Sequence, residues 1–169
     1  MGRLRNKKGM SIVELLSAIA VMLLVTVVLV TGVRLGVKAY TKSVSMSEAQ
    51  ILCTTLTTAV SDELRYAGTV HIDESGRVGF FSQNVGGDSQ TGSSFTSDKN
   101  GYVLLGETLI LSKSSYPYGL KAEVTVTMDE ADKIFNAKVT VKSKNNTELS
   151  ANEFQVKPIR RSSLEINHQ

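Results

Sequence analysis

The feature that most constrains this chain is the run from Met10 to Val33, which carries one charge, Glu14, and directly follows a basic segment. As a helix rising about 1.5 Å per residue, those 24 residues span roughly 36 Å, enough to cross a hydrocarbon core of about 30 Å. Arg3, Arg5, Lys7 and Lys8 precede the run. By the positive-inside rule this places residues 1–9 in the cytoplasm and the chain after about residue 35 outside it. A secretory signal peptide has the same basic start, but its apolar core is short and closes on small residues before a cleavage site. Here the run is too long, and Thr31-Gly32-Val33-Arg34 is a poor substitute for an Ala-x-Ala ending.

The 169 residues leave room for one ordinary domain and one appendage. Nineteen Lys+Arg against 16 Asp+Glu give a net +3, but four of the cations lie in the first nine positions, so the remainder is 15 against 16, or −1. A near-neutral body has no broad phosphate-neutralising surface, and no direct nucleic-acid partner is expected. One cysteine, Cys53, excludes an intrachain disulfide framework and a Cys-based zinc cluster, and His71 and His168 leave little for a metal or a triad. The chain contains no Gly-rich phosphate loop, His-based zinc motif or Gly-x-Ser-x-Gly. The expectation is a non-enzyme with no catalytic residues, cofactor or metal.

A carboxylate near the start of a membrane helix is costly and by default suggests function. Glu14 stands five positions after Gly9, which itself follows Lys7-Lys8. Lys8-Gly9-Met10-Ser11-Ile12-Val13-Glu14-Leu15-Leu16 resembles the class III signal of type IV prepilins and pseudopilins. The resemblance implies cleavage of the Gly9–Met10 bond by a membrane-embedded prepilin peptidase and N-methylation of Met10. It also implies a pilin-like α+β fold: one long N-terminal helix, membrane-embedded in its first half, on a small antiparallel sheet. The implied partners are the prepilin peptidase, other pilins or pseudopilins, the assembly machinery of the cytoplasmic membrane, and membrane lipid. Met10 stands where phenylalanine is commoner. Thr31 occupies the place of a proline that many major pilins carry in the membrane helix, which points to a minor pilin or pseudopilin.

Cutting at Gly9 removes the four leader cations and creates an α-amine four residues before Glu14, on the same helix face. In a filament, a staggered neighbour's amine can meet Glu14 in a low-dielectric core, where paired charges interact strongly. An unpaired buried carboxylate is penalised, so the pairing sets register.

Beyond Arg34, Val37, Tyr40, Val44, Ile51, Leu52, Leu56, Val60 and Leu64 recur mostly every three or four residues, with charged and polar residues between them. This predicts one helix over roughly 11–66, with an amphipathic half over 35–66 and weak points at Gly32 and Gly36. Cys53 falls on the apolar side as a small buried hydrophobe. A β-region over 67–169 follows, completing a globular domain of 35–169. Strands are predicted at 70–73 and 77–81, with His71 facing solvent. Residues 82–101 form a polar, Gly/Ser/Asn-rich segment, expected to be a flexible loop. From Leu120 onward, strict alternation predicts an antiparallel meander covered on one side, with a bulge or a break between Ala151 and Phe154, where the parity slips. Asp129-Glu130-Ala131-Asp132 lacks the spacing and the glycine of a calcium loop and is read as a hairpin turn.

Two classes of function follow. The first is a structural subunit of a type IV pilus, type II secretion or competence filament. The alternative is a single-pass extracellular sensor or adhesin domain that stays monomeric and keeps its leader.

Overall fold

The computed structural model describes residues 11–73, 76–82, 92–159 and 166–168. The chain divides into two units, residues 1–43 and 44–169. One helix, α1 (Ile12–Arg65), supplies the first from Ile12 onward and opens the second. No proline interrupts it, and its nine leucines and five alanines favour the helix against its ten valines. It is helical through Gly32 and Gly36. It ends at a turn in which Ala67 N–H donates to the Leu64 carbonyl and Gly68 N–H to the Phe81 carbonyl.

In the unit from Val44, one stripe of α1 is buried: Ala49, Leu52, Cys53, Leu56, Val60 and Leu64. The spacing of three, one, three, four and four keeps these residues on one face. Two details differ from the sequence reading. Ile51 is 61% exposed, and Ala49 holds the first fully buried position instead. Val37 and Tyr40, assigned to the apolar face, are exposed. Burial needs a partner surface, and an apolar side chain at helical spacing does not supply one.

The stripe packs on the meander β6 (Lys121–Asp129), β7 (Ile134–Lys142) and β8 (Glu148–Val156). Its strands pair antiparallel, with Ala122 opposite Val141, Val124 opposite Val139 and Met128 opposite Phe135 on the inner face. Glu123, Thr125 and Thr127 alternate outward, as the period-2 pattern predicts. The Cys53 thiol lies 3.9 Å from the Val139 carbonyl, and Asn152 Nδ2 donates to Thr57 Oγ1, so both β7 and β8 face the helix.

The bulge sits elsewhere than expected. Pairing steps from Val141–Ser150 to Lys142–Glu148, leaving Leu149 as the extra residue. Leu149 thereby tucks against the core, and Ser150 to Val156 run in one unbroken register. At the β6–β7 turn, Asp129 Oδ1 accepts from the N–H groups of Ala131 and Asp132, and Lys133 adopts φ 50°. That is the expected hairpin turn.

Two smaller sheets complete the unit. β1 (Val70–Ile72) lies between β2 (Val78–Phe80), antiparallel, and β9 (Ile166–His168), parallel. The parallel strand has no local sequence signal and makes β1 a central strand. The solvent-facing assignment of His71 holds only in part: the residue is half-buried, and its Nδ1 is buried with no hydrogen-bond partner among the described residues. The third sheet is β3 (Phe95–Ser97), β4 (Val103–Leu105) and β5 (Thr108–Leu109), in that order.

β3 falls inside the segment read as a flexible loop over 82–101. Residues 83–91 lie outside the described residues, but Ser93 bridges Phe80 and Phe95–Ser97 is a strand. Aromatic contact holds it: the Phe95 ring lies 5.5 Å from Phe80, which lies 6.4 Å from Phe135.

Candidate functional site

The site begins at the start of α1. Gly9 and Met10 lie outside the described residues. Ser11 stands just before the helix, and its carbonyl accepts from Leu15 N–H as the first helical bond. Glu14 is then in the first turn, where its negative charge suits the positive end of the helix dipole. Every residue from Ser11 to Ser43 is exposed. Leu24 and Val28 are about as open as free side chains, at 68% and 70%. An apolar surface encircling so much helix far exceeds what a water-soluble face leaves open, and it marks contact with lipid or another chain. The helix is long and apolar enough to cross a membrane.

The span from Ile12 to Val33 holds four polar side chains: Glu14, Ser17, Thr26 and Thr31. Ser17 Oγ donates to the Glu14 carbonyl at 2.9 Å, Thr26 Oγ1 to the Met22 carbonyl at 2.8 Å, and Thr31 Oγ1 to the Val27 carbonyl at 2.8 Å. Such back-bonding satisfies a hydroxyl within its own helix, so no water is needed there. Glu14 alone of the four has no side-chain partner among the described residues. The site is therefore an apolar helix with one charge near its start that is unpaired among the described residues.

Sequence reasoning missed the order in residues 92–102. Asp98 Oδ1 accepts from the N–H groups of Tyr102 and Asn100, both at 2.8 Å, and its side chain also meets Asn100 Nδ2. The Tyr102 N–H, chiefly, holds this carboxyl below the usual aspartate range. The signal was Asp98-Lys99-Asn100-Gly101, turn residues between Phe95-Thr96-Ser97 and the apolar run Tyr102–Leu105. Tyr116, also missed, accepts the Val103 N–H on its hydroxyl at 3.1 Å and meets Tyr102 edge-on. Burial pushes its phenol up, which fits a structural role. Ser82 Oγ donates to Glu63 Oε2 at 2.6 Å, tying the end of the β1–β2 region to α1. Cys53 is free and buried. No group of three or more His, Cys, Asp or Glu that could hold a metal is found among the described residues.

No protein-family model, curated protein or solved structure matches the chain.

Proposed function

We propose that this chain is a pilin-like structural subunit, a minor pilin or pseudopilin, built into a type IV pilus, type II secretion or competence filament. In this reading it inserts with residues 1–9 in the cytoplasm and is cut between Gly9 and Met10. Met10 is N-methylated, and the chain is drawn from the membrane into a helical array. The helix from Ile12 then forms the filament core, with residues 44–169 outside.

The observation that carries the reading is the lone carboxylate. An exposed apolar span whose hydroxyls are satisfied internally keeps one charged group, Glu14, with no side-chain partner among the described residues. A plain anchor has no use for it at this depth. A new α-amine at Met10, from the same chain or a neighbour, supplies the missing cation. The prepilin-like signal around Gly9 provides the means of making that amine.

Mass spectrometry of protein from its native host tests processing. The expected mature chain starts at N-methylated Met10. A chain that retains Arg3–Lys8 favours the alternative, a monomeric anchored sensor or adhesin. Glu14→Gln tests assembly. It keeps size and removes charge, leaving a buried cation unpaired at a cost of about 3–5 kcal/mol, against roughly 0–1 kcal/mol for an exposed pair. Cleavage should persist while recovery with sheared filaments falls. Equal recovery of mutant and wild type rejects the pairing.

A further inference from the structure

Directly after the apolar span, α1 carries Arg34, Lys38 and Lys42. Steps of four residues advance only about 40° around a helix, so the three cations form one stripe. All three are exposed, and none has an ion pair among the described residues. No Asp or Glu occurs between Glu14 and Glu48 to balance them. This contrasts with the meander, where Lys138 and Lys142 each have a carboxylate at 2.6 Å. The stripe also opposes the positive-inside rule, because it lies on the far side of the span from the leader. Three uncompensated cations there need a reason.

We propose that this stripe binds anionic phospholipid headgroups at the outer face of the membrane, holding the subunit at a fixed depth. The proposal rests on the reading that Ile12–Val33 occupies the bilayer. Depth supports it. If the apolar span ends at Val33, Arg34 stands at the edge of the hydrocarbon, with Lys38 about 6 Å and Lys42 about 12 Å farther along the axis. The headgroup layer on each side is roughly 5–8 Å thick. Arg34 and Lys38 therefore lie within it, and Lys42 reaches it only by folding its stem back. A second copy of this chain is the less favoured partner. Protein contact gives no reason for the cations to start at the first residue beyond the span.

The chemistry is charge-assisted contact with a phosphodiester, bidentate from Arg34 and point-like from the two lysines. Each cation near an anionic surface is worth about 1 kcal/mol, or roughly fivefold in affinity. The experiment uses the full chain in non-ionic detergent, titrated with phosphatidylglycerol or phosphatidylcholine, with bound lipid counted by native mass spectrometry. Wild type should retain phosphatidylglycerol about tenfold or more over phosphatidylcholine. Arg34→Gln and Lys38→Gln should each lower that preference about fivefold, and Lys42→Gln by less. Circular dichroism checks that α1 persists in each variant.

Equal retention of the two lipids by wild type overturns the proposal, as does a preference untouched by the triple glutamine variant. A lipid-free dimer abolished by the triple variant assigns the stripe to a second copy instead and also overturns it. Reconstitution into vesicles of pure phosphatidylcholine separates the two levels of inference. Failure to insert rejects the membrane reading itself, whereas insertion without lipid preference rejects only the stripe.

Discussion

Residues 12–43 and 44–65 belong to one helix and keep opposite company. In the first stretch every side chain is exposed, although this is the most apolar part of the chain. In the second, which carries Glu48, Asp62, Glu63 and Arg65, six residues are buried. Apolarity alone therefore does not decide burial. The second stretch has a sheet whose inner face repeats every two residues against the helix's three and four. The first has no such surface among the described residues.

The sharpest break of this comparison is the same truncation made on both sides of Ser43. Leu56 is fully buried and Leu24 is 68% exposed. Leu56→Ala should destabilise the folded unit by about 2–5 kcal/mol through lost burial and an unfilled cavity. Leu24→Ala should leave the same transition within about 0.5 kcal/mol. Denaturant unfolding of the full chain in non-ionic detergent, followed through the tyrosines, measures both. Similar losses would mean that residues 12–43 have an intramolecular core after all.

Glycine extends the contrast to backbone geometry. Gly101 adopts φ 82°, and an added Cβ would press on the Lys121 side chain and its Cα, where the β3–β4 hairpin docks on β6. Ala122 N–H donates to the Gly101 carbonyl at 2.8 Å, so the hairpin has little room to retreat. Gly101→Ala combines a left-handed backbone with a clash and should cost roughly 2–4 kcal/mol. Gly36 is helical with nothing within 4 Å of a built Cβ. Gly36→Ala should stabilise α1 by up to about 1 kcal/mol. Opposite signs in thermal melts are the expected result, and equal signs would contradict the division.

The same contrast explains what could be read in advance. The helix and the meander were legible because each carries its own period: the Leu52–Leu64 stripe at three and four, and Ala122–Met128 and Phe135–Val141 at two. Local turn chemistry marked Asp129–Asp132. What escaped depends on distant partners. β9 pairs with β1 across more than ninety residues, which no local pattern announces. Phe95 makes a strand of a Ser-rich segment because Phe80 and Phe135 are there to meet it. The bulge moved to Leu149 because the register of β8 is set by the inner face of β7, whereas the sequence shows only where its own parity slips. At the candidate site, Glu14 was legible as a lone charge. Its isolation became clear only once Ser17, Thr26 and Thr31 were seen to satisfy themselves. The stripe Arg34, Lys38 and Lys42 stands at a plain spacing of four, but its meaning needed the knowledge that no carboxylate pairs with it among the described residues.

The smallest effect concerns charges that do have partners. Lys138 and Glu153 meet at 2.6 Å across β7 and β8, with side chains 49% and 70% exposed. Their hydrogen bond, followed by direct charge attraction, lowers the Glu153 carboxyl below its usual range and raises the Lys138 ammonium above its own. The two signs define a window. The depressed Glu153 contributes stability above its unfolded value and loses it as pH falls through the folded one. The raised Lys138 contributes below its unfolded value and loses it as pH rises through the folded one. Across neutral pH the pair's contribution is therefore constant, and it fades only at the acid and alkaline ends. Because solvent screens so exposed a pair, Glu153→Gln should barely move the unfolding midpoint at pH 7 and should remove the small acid-limb slope. Added salt should do the same to wild type and nothing further to the mutant. The lysine–carboxylate distance in the meander is thus a control for the stripe on α1: if Lys138→Gln disturbed lipid retention as much as Lys38→Gln, charge in general, not its place beside the apolar span, would be responsible.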